Sequence, residues 1–194
     1  MKAGGRTPVG SSHHWRTITL HSLPVLFGAV AIGVFAGQIL AFAKDDLLRV
    51  PVLLALVPAV NGIGGNVGSI LGARVASGLH VGGLWSNRGR GFRRDVTASL
   101  ILALITFSFL GIVAGVLAPP LGLDLNVDIA VLGLTTLLAG TWLVGAMVLL
   151  TIVVGMLSHR HGWDPDNIVV PVLTTAGDTL GILFLLLSAQ VIGL

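Results

Sequence analysis

The residue best placed to do chemistry is Asp178, the only acidic side chain inside any long apolar segment of this sequence. An ionised side chain at the centre of a bilayer costs at least about 2.5 kcal/mol, so such residues mark sites that face a bundle interior or water. Thr174 lies one helical turn before Asp178 on the same face, and Thr175 lies beside that face. Carboxylate and hydroxyl oxygens are hard ligands that suit Mg²⁺ or Ca²⁺, and Mg²⁺ commonly keeps several of its waters. The pattern therefore predicts a site for a hydrated divalent cation, most naturally Mg²⁺, at these residues.

A second group of polar and flexible residues interrupts an earlier apolar segment. The run is Pro58-Ala-Val-Asn-Gly-Ile-Gly-Gly-Asn-Val-Gly-Ser, and it contains Asn61, Gly65 and Asn66. Gly and amide side chains at membrane depth predict a kinked or partly unwound helix whose carbonyl and amide oxygens line an ion path. The alternative is a hinge or a packing kink without contact to an ion.

Two other interpretations of Asp178 follow from the inventory of side chains. Arg74 is the only basic residue deep in an apolar segment, so the two could form a structural ion pair in a non-transporting scaffold or accessory subunit. Catalysis is not expected, because no Gly-x-Ser-x-Gly elbow, no His-Glu-x-x-His and no pair of acids within one segment occurs. The absence of cysteine excludes thiol chemistry and thiolate metal sites. We therefore expect a protein that is not an enzyme and has no organic cofactor.

The elements that must position these residues are membrane-spanning helices. The 194 residues are 54% hydrophobic and only 10% charged, unlike a soluble domain. A span needs roughly 17 to 25 mostly apolar residues. The sequence predicts five such segments, at about 22–43, 51–80, 96–118, 128–157 and 168–193. We expect an all-α integral membrane protein with one five-helix domain over 21–194, preceded by a disordered cytoplasmic tail over 1–20.

The distribution of Lys and Arg predicts the orientation. Most basic residues lie in the tail, the second loop and the fourth loop, whereas Lys44 and Arg49 are alone on the opposite side. The positive-inside rule then predicts a protein of the cell membrane with a cytoplasmic N-terminus and an external C-terminus. The basic excess therefore indicates topology and not a nucleic-acid partner. Residues 41–43 resemble a signal-peptide cleavage site, but the apolar run before them is longer than the usual core of such a peptide.

Two stretches together carry a resemblance to a known family. Pro58-Ala-Val-Asn-Gly-Ile-Gly-Gly-Asn-Val-Gly-Ser-Ile-Leu-Gly-Ala-Arg74 resembles the second membrane helix of MgtE-type magnesium transporters and their eukaryotic solute-carrier relatives. Asp164-Pro-Asp-Asn-Ile-Val-Val-Pro-Val-Leu-Thr-Thr-Ala-Gly-Asp178 resembles the last helix of the same domain. The five predicted spans agree with that domain over nearly the whole chain.

The resemblance implies a homodimer of five-helix subunits in a lipid bilayer, with a pore at the two-fold axis. It makes Asp178 the principal Mg²⁺ ligand, with Thr174 and Thr175 in the adjoining turn, and places Asn61, Gly65 and Asn66 in the second-helix motif. Bacterial members also carry cytosolic N-terminal and CBS domains, where this single-repeat form has about 20 residues, so the resemblance does not explain gating. A Na⁺- or H⁺-coupled exporter of divalent cations is the alternative transport mechanism. Selectivity between Mg²⁺, Mn²⁺, Co²⁺, Zn²⁺ and Ca²⁺ depends on pore dimensions.

Overall fold

Five long helices make up the described part of the fold. The computed structural model describes residues 14–80, 90–123, 126–161 and 165–194. The helices are α1 His14–Arg49, α2 Pro51–His80, α3 Arg90–Leu117, α4 Ile129–Arg160 and α5 Pro165–Ile192. Each contains a stretch that is long and apolar enough to cross a membrane. The predicted all-helical architecture with five spans is therefore confirmed.

The helix boundaries differ from the sequence prediction mainly at the N-terminus. α1 begins at His14, so the boundary drawn after residue 20 falls inside a helix, while residues 1–13 lie outside the described part. α5 begins at Pro165. Proline suits the first helical position because the N–H that it lacks would have no partner within the helix there. Asp164, the first residue of the second family-like stretch, lies outside the described residues.

The predicted break in the second helix is wrong. α2 is one α-helix from Pro51 to His80 and passes through Asn61, Gly65 and Asn66 without interruption. A continuous helix keeps its backbone hydrogen bonds inside the segment, which a bilayer requires of any backbone that is not otherwise covered. Three of the four glycines of this run, Gly64, Gly65 and Gly68, instead let neighbouring helices approach closely. Without a Cβ, Gly64 accommodates Leu143 of α4, and Gly68 accommodates Met147.

α2, α4 and α5 form the centre of the bundle, and α3 packs on the outer side of α4. The core contains fully buried side chains from all three central helices, among them Val60, Leu143 and Leu173. The hydroxyl of Thr136 on α4 is also buried, and it donates to the carbonyl oxygen of Phe107 on α3 at 2.8 Å. A hydrogen bond between two closely packed helices satisfies a polar group that apolar surroundings would otherwise penalise.

α1 joins this bundle through its second half. Ala36, Ala43 and Leu47 are buried against the core, whereas most side chains between 23 and 35 are exposed. α1 packs mainly on α5. The central pair α2 and α5 therefore has α4 and α1 on its sides and one remaining surface that none of the described helices covers.

Candidate functional site

α2 and α5 cross with their backbones in direct contact. A Cβ added to Gly177 would lie 2.8 Å from both the Cα and the backbone nitrogen of Gly65. One helical turn further along α5, a Cβ on Gly181 would overlap Oδ1 of Asn61. In the other direction, a Cβ on Gly72 would lie 2.9 Å from Cγ1 of Val169. These contacts make the two helices antiparallel and place Asp178, next to Gly177, at the level of this crossing.

Asp178 lies on the uncovered surface of the α2–α5 pair. Its side chain and that of Thr174 are exposed on α5, and Asn66 is exposed on α2. Within the described ranges, no hydrogen bond or ion pair involves the Asp178 carboxylate. The structure thus brings three of the predicted site residues to one face of the chain, and the described residues provide no partner for the carboxylate.

The other three predicted residues do not share that exposure. Thr175 is half-buried, and its hydroxyl donates to the carbonyl oxygen of Pro171 at 2.9 Å, within α5. Gly65 is buried in the contact with α5. Asn61 is half-buried, and its Oδ1 is inaccessible to solvent and has no hydrogen-bond partner in the part of the chain that the structure describes. Asn61 and Gly65 line the seam between the helices behind the exposed face. Thr175 is two residues, or about 200° around the helix, from Gly177, so it lies on the side of α5 away from α2.

Ser69 belongs to the same surface and was not among the predicted site residues. Its Oγ lies 2.9 Å from Oγ1 of Thr174, which joins α2 to α5 one turn from Asp178. Oγ of Ser69 also donates to the carbonyl oxygen of Gly65 at 2.8 Å. Its position four residues after Gly65, as the one hydroxyl in a glycine-rich run, was the available signal. Which residue of α5 lies beside Ser69 depends on the register of the two helices, so the glycine-rich run alone could not predict Thr174 as its neighbour.

The ion pair considered between Arg74 and Asp178 is wrong. Arg74 Nη1 lies 2.7 Å from Oδ1 of Asp95, at the beginning of α3. The antiparallel register places Arg74 close to the level of Val169, almost ten residues and roughly 13 Å along the α5 axis from Asp178. An arginine side chain cannot span that distance, so Arg74 pairs with the nearer carboxylate on α3.

The described part of the chain holds few ligands for a metal ion. Among the described residues, no three His, Asp or Glu side chains come together as a potential metal cluster. One carboxylate with neighbouring hydroxyl and amide groups offers oxygen donors and one negative charge, which suits a cation that keeps most of its water shell. Such a surface can attract a hydrated dication but neutralises only half of its charge.

Comparison with known proteins gives one family. The family model described as "MgtE: Divalent cation transporter" matches residues 57–188, which include the crossing of α2 and α5. No solved structure matches the chain significantly.

Proposed function

Because the chain belongs to the MgtE family of divalent cation transporters, we propose that it carries Mg²⁺ across the cell membrane through a site that two copies form around Asp178. The observation that carries this proposal is the exposed Asp178 carboxylate, which has no partner among the described residues, in a helix long and apolar enough to span a membrane. Thr174 and Asn66 lie on the same uncovered face. A surface of this kind in one protomer is costly against lipid and favourable against water or a second polar surface.

A second copy of the chain is the natural cover for this face. A two-fold axis repeats the same patch on both subunits, so each Asp178 gains its symmetry mate across the axis. The small residues exposed on α2, including Ala55, Gly62 and Ala73, allow helices of two copies to approach without large side chains between them. This arrangement supplies the second charge that one protomer lacks.

The paired carboxylates would capture the cation in hydrated form. Mg²⁺ binds oxygen at about 2.0–2.1 Å, releases its waters reluctantly and is commonly held by one or two carboxylates. Thr174 and Asn66 extend the polar surface on either side of the charge, Asn61 and Gly65 support it from the seam, and Thr175 lies in the adjoining turn of α5. Two carboxylates balance the charge of one dication, which lowers the cost of moving it through the apolar layer.

The membrane potential would drive uptake. An inside-negative potential contributes about 2.3 kcal/mol per charge per 100 mV, which is doubled for a dication. The sequence contains no Gly-x-x-x-x-Gly-Lys-Ser/Thr phosphate-binding loop, so it gives no sign that ATP hydrolysis supplies the energy. We propose inward movement with the N-terminus in the cytoplasm and the C-terminus outside.

Mg²⁺ flux into proteoliposomes under an inside-negative voltage tests the proposal. The wild type should take up Mg²⁺, and both Asp178→Ala and Asp178→Asn should reduce uptake to the level of empty vesicles, because the charge at the axis is removed. Asp128→Asn is the matched control, since Asp128 is exposed at the start of α4 and should not affect flux. All variants are first shown to elute as the same oligomer. Equal flux in the wild type and Asp178→Asn would refute the site, and no flux in the wild type would refute the transport function.

A further inference from the structure

The two hydroxyls that join α2 and α5 have fewer protons than contacts. Ser69 Oγ donates to the Gly65 carbonyl oxygen at 2.8 Å, and Thr174 Oγ1 donates to the Val170 carbonyl oxygen at 2.9 Å. The two hydroxyl oxygens are themselves 2.9 Å apart. Each hydroxyl carries one proton, so two protons cannot serve three contacts.

Because the Ser69 and Thr174 hydroxyls have only two protons for three contacts, the pair can accept a further hydrogen bond. While both protons point to the backbone carbonyls of their own helices, the two oxygens face each other without a proton between them. Each oxygen keeps lone pairs that need a donor from elsewhere. If one proton moves into the Ser69–Thr174 contact, the hydroxyl that donates it still accepts no hydrogen bond, so its lone pairs still need a donor from elsewhere. In both arrangements an external donor would improve the hydrogen bonding of the pair.

The position of the pair indicates what that donor is. Thr174 is exposed on the face that holds Asp178, and the two residues are four apart, or about 6 Å along the helix axis. The pair lies on the side of Asp178 toward the beginning of α5. A ligand attracted to the carboxylate by charge therefore meets the hydroxyl pair next.

We propose that Ser69 and Thr174 form an acceptor site for the water shell of a hydrated dication, one helical turn from Asp178. The site deepens the proposed function, since it rests on the capture of that cation by Asp178. The spacing of the acceptors agrees with the size of a hydrated ion. With Mg–O distances of about 2.1 Å and O–H···O distances of about 2.8 Å, an acceptor of a shell water lies roughly 4–5 Å from the ion. Two acceptors about 6 Å apart along one helix can thus bind the same water shell from one side.

Cobalt(III) hexaammine is the probe that isolates this contact. Its ammine ligands donate hydrogen bonds as the waters of Mg²⁺ do, but they do not exchange, so the complex binds only through its outer shell. We would titrate the purified full-length protein in detergent with this complex and follow the rise in thermal unfolding midpoint as a function of its concentration. This measurement reports binding whether or not the protein transports ions.

Ser69→Ala and Thr174→Val, which remove one oxygen each, should weaken binding of the complex about 3- to 10-fold, the range for loss of one hydrogen bond. The double variant should be little weaker than either single variant, because the oxygens act as one unit. Thr174→Ser should bind as the wild type does. The matched controls are Ser108→Ala and Thr141→Val, whose hydroxyls donate to Leu104 and Leu137 carbonyl oxygens on other helices.

Unchanged binding in Ser69→Ala and Thr174→Val would overturn the acceptor site, as would equal weakening in the two controls. A merely structural hydrogen bond between α2 and α5 would lower the unfolding midpoint of the free protein without changing the concentration dependence, which also overturns the proposal. Failure of the proposed function has a different signature. In that case Asp178→Asn keeps Mg²⁺ flux, or the wild type has none, while the Ser69 and Thr174 variants still weaken binding of the complex.

Discussion

Gly177 of α5 lies against Gly65 of α2, and a Cβ on Gly177 would be 2.8 Å from the Cα and the backbone nitrogen of Gly65. The contact joins two backbones and not two side chains, so no rotamer change can relieve an added methyl group. This closest approach of the two helices lies directly beside Asp178. The position of the carboxylate on the uncovered face therefore depends on glycine at residue 177.

Gly177→Ala should destabilise the protein and reduce transport together. Adding a methyl group to a well-packed contact typically costs about 1–3 kcal/mol, because the two backbones must move apart and lose part of their packing. Thermal unfolding in detergent and Mg²⁺ flux measure the two effects. Gly145→Ala is the control, since a Cβ there meets nothing within 4 Å. Equal behaviour of the two variants would contradict the close contact at Gly177.

Replacing Arg74 should have little effect on ion binding. Arg74 and its partner Asp95 have side chains 54% and 31% exposed, and exposed ion pairs contribute about 0–1 kcal/mol. Arg74→Met should therefore keep Mg²⁺ flux and lower stability only slightly, and Asp95→Asn should behave alike. Flux and thermal unfolding are compared with those of Asp178→Asn. Loss of flux in Arg74→Met to the level of Asp178→Asn would contradict this prediction and indicate that the two residues act together.

A single cysteine on the uncovered face should cross-link two copies. The chain contains no cysteine, so each introduced thiol is unique. Gly62 is exposed on α2, and a Cβ there has nothing within 4 Å. Gly62→Cys in membranes should give a covalent dimer with a short bifunctional maleimide, as seen by gel electrophoresis. Ile105→Cys, at a position 63% exposed on α3, should stay monomeric under the same conditions. Cross-linking at Ile105 alone would place the dimer interface on α3 and refute the shared site.

Flux should respond to voltage and not to a sodium or proton gradient. A dication crossing 100 mV gains about 4.6 kcal/mol, so an inside-negative potential should strongly favour entry of Mg²⁺. Uptake into proteoliposomes is measured at fixed voltage with and without a Na⁺ or pH gradient. A dependence of flux on either gradient would favour the coupled exporter instead. Vesicles with Asp178→Asn serve to subtract leak.

Most of the fold was predictable because membrane-spanning helices are a local property. Length and apolar composition alone predict the five helices, and the second span, at 51–80, agrees with α2 at both ends. The sequence wrongly predicted a break in α2, because glycine has two roles in a helix that composition does not separate. It weakens an isolated helix, but it also allows close packing, and the contacts of Gly64 with Leu143 and of Gly68 with Met147 favour the second role.

The sequence by itself determined that Asp178 is exceptional, because a lone carboxylate in an apolar segment is costly whatever surrounds it. Only the tertiary structure decided which residues accompany it. The antiparallel register of α2 and α5 places Ser69 beside Thr174, and the position of α3 provides Asp95 as the partner of Arg74. These pairs join residues far apart in the chain. Their identity depends on how the helices are shifted and rotated against each other, and hydrophobic patterning does not specify either quantity where every helix is apolar on most sides.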